Sequence, residues 1–116
     1  MRIVGVIERV KEKLGRDVEF DNRFHQVYKS LNLIDRAVSL DKELANMDPP
    51  RQLLAPEVAG RLEDWRQEND LALRGIWGTY SWSYRHESGT RPDYDKLAQV
   101  EAIAQQGLDC FNPVED

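Results

Sequence analysis

Cysteine is nearly absent from this chain. Among its 116 residues only Cys110 carries a thiol. No intramolecular disulfide can form, and no zinc framework of Cys and His can be assembled. Histidine is equally scarce. His25 and His86 lie far apart, and neither belongs to a Glu-x-x-His pair of the kind that builds di-iron helical sites. No apolar run approaches the ~18 residues of a membrane span. The N-terminal apolar stretch is interrupted by Glu8 and Arg9 and is followed by no small-residue cleavage site. The expectation is no signal peptide, no membrane partner and a soluble cytoplasmic protein. A Gly-rich phosphate loop is missing as well. Gly75-x-x-Gly78 has the wrong spacing and context for one, and its simpler reading is close approach of a neighbouring helix.

Positive charge is in deficit, with 16 basic against 21 acidic residues and a net charge of -5. Phosphate neutralisation supplies much of the affinity of nucleic-acid binders, so this balance argues against that class. Asp17, Glu19 and Asp21 alternate as at the start of a calcium loop. However, Asn22 stands where the loop needs glycine, and Tyr28 where it needs a bidentate acid. No metal and no cofactor is expected. The lone Cys110, beside Phe111, reads as a small apolar side chain, since a reactive thiol needs a nearby cation or helix N-terminus.

Helical periodicity, by contrast, is plentiful. Ile3, Ile7, Val10 and Leu14 recur at steps of four, three and four, which predicts a helix over roughly 2–14 stopped by Gly15. Asp21 or Asn22 is placed to cap a second helix. Its stripe runs through Phe20, Phe24, Val27, Leu31, Ile34 and Val38. Leu44 and Met47 could prolong that stripe after a bend near Ser39, and Asp48-Pro49-Pro50 ends it. A third helix should begin at Pro56. Its stripe is Val58, Leu62, Trp65, Ala72, Leu73, Ile76 and Tyr80, with Asn69 as a polar interruption. It could continue to Arg85, although Gly75 and Gly78 weaken helix propensity. After a loop from His86 to Arg91, Asp93 caps a last helix striped by Leu97, Val100, Ala104 and Leu108, with Gly107 marking its end.

The fold class that follows is all-α, a compact bundle of about four helices. Residues 1–116 should form a single helical domain with a frayed tail near 110–116. The alternative is α+β. Thr79 to Tyr84 alternates hydroxyl and aromatic residues with period two, and Ile3 to Ile7 has strand propensity. Short strands near 3–7 and 79–85 would then pair.

One block stands out for function. Trp77, Tyr80, Trp82 and Tyr84 fall within eight positions, framed by Arg74, Arg85, His86 and Arg91. Trp, Tyr and Arg dominate binding energy when buried at protein contacts. On a helix, Trp77, Tyr80 and Tyr84 share one face, while Trp82 points away with Gly78 and Arg85 as its neighbours. An aromatic outside the core stripe marks a contact surface. The leading reading is therefore a small acidic protein–protein interaction module: a regulator, adaptor, immunity-type or inhibitor protein. It would bind a protein partner, or a second copy as a homodimer, through residues 74–91. Two other readings use the same block. One is a small-ligand pocket between helices, lined by Trp77, Tyr80, Tyr84 and Trp65. The other is an RNA-binding or ribonuclease-like protein, with bases stacked on the aromatics and Arg85 and His86 at a phosphate. No ordered nucleophile–base–orienter set is present, so the expectation is a non-enzyme.

Overall fold

The computed structural model describes residues 17–112. Their elements are α1 (Val18–Ala45), α2 (Pro56–Glu68), a π-helical segment (Leu71–Trp77), α3 (Gly78–His86) and α4 (Tyr94–Asp109). The described residues are helical with no strand, so the all-α reading holds. The helix expected at 2–14 and the strand alternative at 3–7 lie outside the described residues.

Helix α1 starts one turn earlier than Asp21 or Asn22 would place it. Its N-cap is Asp17, whose Oδ1 accepts the backbone N–H groups of Glu19 at 2.9 Å and Phe20 at 3.3 Å. The helix then runs unbroken through Ser39 to Ala45, a length of about 42 Å at ~1.5 Å per residue. Leu44 and Met47 do not extend the core stripe. Leu44 is half-buried and Met47 is half-exposed just beyond the helix end. The connection to α2 folds back onto α1, with Asp41 Oδ1 accepting the Leu53 and Leu54 amides at 3.0 and 2.9 Å.

Pro56 opens α2 as expected. At Asn69 the helix changes its hydrogen-bond pattern instead of ending. The Asn69 side chain donates to the Trp65 carbonyl at 2.8 Å. The seven-residue π segment follows, and at its far end the Gly78 N–H reaches back five residues to the Leu73 carbonyl. This wider winding lets one rod extend from Pro56 to His86. Period two did not win at 79–85 because the helical period buries more. It places Trp77 and Tyr84 in the core, with Tyr80 packed against them. Ser81 turns its hydroxyl onto the Gly78 carbonyl, and no described residue offers a pairing strand.

Gly89 (φ 94°) makes the turn after α3, in a backbone region that suits a residue without Cβ. Asp93 caps α4, its Oδ1 accepting the Lys96 N–H at 3.0 Å. The start of α4 meets the start of α1. Tyr94 touches Phe20, with ring centres 5.3 Å apart, and its hydroxyl donates to Asp17 Oδ2 at 2.5 Å. Further along, Arg23 pairs with Glu101, and Gly107 packs on Ile34. Helix α4 therefore runs parallel to α1. The Pro56–His86 rod runs against both, with Tyr84 at Phe20 and Phe24 and with Leu62 and Trp65 at Ile34.

Gly107 does not end α4, which continues to Asp109. It is instead the point of closest helix approach. A methyl group there would lie 2.6 Å from the Trp65 ring and 2.8 Å from Ile34. The close approach expected at Gly75 and Gly78 is not found. A methyl on either would meet only Leu71 or the Leu73 carbonyl of the same rod. Of the tail expected to fray, residues 110–112 are tied in. Phe111 packs against the core, and Arg61 donates to the Asn112 carbonyl at 2.9 Å.

Candidate functional site

The aromatic block divides between the inside and the outside of the molecule. Trp77 and Tyr84 are buried, and Tyr84 is only 2% exposed. They pack with Phe20, Phe24, Val27, Leu97 and Val100. The Tyr84 hydroxyl donates to Asp21 Oδ1 at 2.5 Å, which satisfies the one polar atom that this side chain carries inward. Tyr80 is half-buried. Its hydroxyl donates to the Arg91 carbonyl at 2.5 Å and accepts the Asp93 N–H at 2.8 Å, pinning the loop between α3 and α4. Burial is the first cause raising its pKa. Of the residues expected to bind a partner, Trp77 and Tyr84 are therefore buried in the core and Tyr80 is half-buried. Their three- and four-residue spacing turns them toward α1 and α4.

Trp82 lies on the opposite side of α3 and is 54% exposed. Its ring sits against His86, with centres 5.0 Å apart. Arg85, one turn from Trp82 on the same helix, reaches the other way. Its guanidinium carbon stands 5.1 Å from the centre of the Tyr28 ring on α1, within cation–π range. The Tyr28 phenol has a lowered pKa, first because of its hydrogen bond with the Asn32 side chain, then because of Arg85. His86, Trp82 and Arg85 on α3 and Tyr28 on α1 thus mark an outer strip, in which Trp82 touches His86 and Arg85 lies over Tyr28. Beside it lies a cavity of about 320 Å³ bordered by Asp21, Phe24, His25, Tyr28, Tyr84 and Arg85.

Arg74 and Arg91 do not join this strip. Arg74 is exposed on the π segment and pairs with Asp70 at 3.1 Å. Arg91 sits in the connection before α4, where its carbonyl holds Tyr80. Tyr28 was missed from sequence because it falls off the core stripe of α1, and only tertiary packing brings it to Arg85. His25 is exposed and borders the cavity.

The pocket imagined between Trp77, Tyr80, Tyr84 and Trp65 is not assembled. The first three belong to one core cluster and Trp65 to the other. Tyr80, Tyr84 and Trp65 border three separate surface cavities. Arg85 and His86, expected together at a phosphate in the RNA-binding reading, engage different rings, Tyr28 and Trp82. Cys110 is half-buried against the Gln106 carbonyl, and burial raises its pKa despite the nearby Arg61. Among the described residues no three His, Cys, Asp or Glu side chains gather where a metal could bind, and no helix is long and apolar enough to cross a membrane. Comparison with family models, curated proteins and solved structures finds no match for this chain.

Proposed function

We propose that this chain is a small acidic protein-interaction module that docks a protein partner on the strip Tyr28–Arg85–Trp82–His86. The observation that carries this reading is the half-exposed Trp82, set on a helix whose opposite face is anchored in the core. A large aromatic on a rigid element loses little conformational freedom on binding and offers a large area to cover. Its neighbours suit the role. His86 braces the indole on one side, and Arg85 is already laid over Tyr28. The small cavity next to the strip would receive a side chain of the partner. A protein partner fits better than a nucleic acid, because the net charge is -5 and Arg74 already has a carboxylate partner.

The test is affinity capture from the native cell with wild type and a Trp82→Ala/Arg85→Ala double variant in parallel. Proteins retained by wild type should be lost from the variant while its helical circular dichroism stays unchanged. Capture of the same proteins by both would remove the proposal. Because both side chains are exposed and give up only surface ring contacts, the variant should lose no more than about 2 kcal/mol of stability.

A further inference from the structure

A second apolar face lies on α1, away from the strip. Leu33 and Leu40 are 59% and 43% exposed, two helical turns apart. Ala37 and Leu44, both half-buried, fall between and after them at steps of four, three and four. These four residues share one side of α1, rotated off the stripe of Phe20, Phe24, Val27 and Ile34 that fills the core. The spacing is that of a coiled-coil seam. Arg36 and Glu43 flank the seam along one edge, both exposed, with no ion-pair partner among the described residues.

We propose that this face docks a second copy of the same chain, the two α1 helices lying antiparallel about a two-fold axis that passes between Ala37 and Leu40. The face is self-complementary in that register. Leu33 meets Leu44 of the partner subunit, and Ala37 meets Leu40 of the partner subunit, so that a large side chain covers the small one. Arg36 then faces Glu43 of the partner subunit, and the symmetry repeats the ion pair on the same rim. Antiparallel coiled coils join like edge positions in this way, which ties orientation to charge. A parallel pair would need Asp41 as the partner for Arg36. Asp41 is instead half-buried and holds the Leu53 and Leu54 amides. The contact is short, near the lower end of specific interfaces, so the association is weak and depends on concentration. It leaves Trp82 free, which makes this surface independent of the strip proposed for a different partner.

The experiment is the mass in solution of the full chain by sedimentation equilibrium over a hundredfold range of concentration, with thermal unfolding in parallel. Wild type should rise from the 13.5 kDa of one chain toward twice that value. Leu40→Glu and Arg36→Glu should each weaken the dimer at least tenfold. Arg36→Glu combined with Glu43→Arg should restore it, and Trp82→Ala should leave it unchanged. Four outcomes overturn the proposal. A monomer at every concentration whose melting temperature falls with Leu40→Glu means that the face is covered within the chain. A monomer whose melting temperature is unmoved leaves the face to another molecule. A dimer lost with Trp82→Ala but kept with Leu40→Glu places self-association on the strip. Failure of the double charge exchange to restore the dimer refutes the antiparallel register.

Discussion

Phe20, Phe24, Trp77 and Tyr84 pack ring on ring where α3 meets the first turns of α1 and α4. Toward the other end, Ile34 and Leu62 pack around one buried ring, Trp65, with Leu54, Val58, Ile103, Leu108 and Phe111 at the margin. The first end is held by hydroxyl–carboxylate bonds: Tyr84 to Asp21 and Tyr94 to Asp17. The second is held by close approach at Gly107 and by the Trp65 indole N–H, which donates to the Ile103 carbonyl at 2.8 Å. Large rings keep helices apart and bring polar atoms that must be satisfied. Aliphatic side chains and a glycine let backbones come together. The two ends also differ at the surface. Trp82 emerges over the aromatic end, and the Leu33–Leu40 face emerges along the aliphatic half of α1.

Removing the central ring at the aromatic end tests this contrast most severely. Tyr84→Ala should cost about 3–5 kcal/mol, the usual cost of a large buried aromatic truncated to alanine. Urea denaturation followed by circular dichroism checks it. A cost below ~1 kcal/mol would mean that the aromatic end is not the anchor its burial suggests. At the aliphatic end the corresponding change adds atoms. Gly107→Ala should destabilise by about 1–3 kcal/mol, because the new methyl drives into Trp65 and Ile34. Tryptophan emission should shift with it, as the Trp65 indole is displaced.

The smallest effect sharpens the hydroxyl–carboxylate part of the comparison. Hydrogen bonding to Asp17, then burial and nearby carboxylates, push the Tyr94 phenol up to about 12. The folded state therefore holds this proton more tightly than the unfolded chain, whose tyrosine titrates near ~10. Its contribution is fully present below pH ~10 and is lost as the pH rises toward 12. Thermal unfolding of wild type should fall across that window more steeply than that of Tyr94→Phe. Parallel curves for the two proteins would refute the linkage. The gap is modest, because the ring is more than a third exposed.

Much of the fold was legible along the chain because local chemistry specifies it. Pro56 opens α2, Asp93 caps α4, and the stripe from Phe20 to Ile34 is the buried face of α1. Trp82 was readable as the exposed aromatic because helical spacing alone separates it from Tyr80 and Tyr84. The seam on α1 was not legible. Leu33 and Leu40 interleave with the core stripe, and a helix with two apolar arcs reads as one broad arc until its neighbours show which arc they cover. Glycine roles were misread for a related reason. Gly75, Gly78 and Gly107 look alike in sequence, yet only Gly107 faces another helix closely.

Composition and period alone determined that this chain is helical, acidic and without an intramolecular disulfide. Those properties depend on each residue's own chemistry and on neighbours three or four positions away. Tertiary structure decided which rings are core and which are surface. It brought Tyr28 under Arg85 and Asp21 to Tyr84, more than fifty positions away in each case. It also decided that the rod from Pro56 to His86 would pass through a π segment rather than break at Asn69. Such choices depend on the summed burial of residues distant in sequence, and no local pattern encodes that sum.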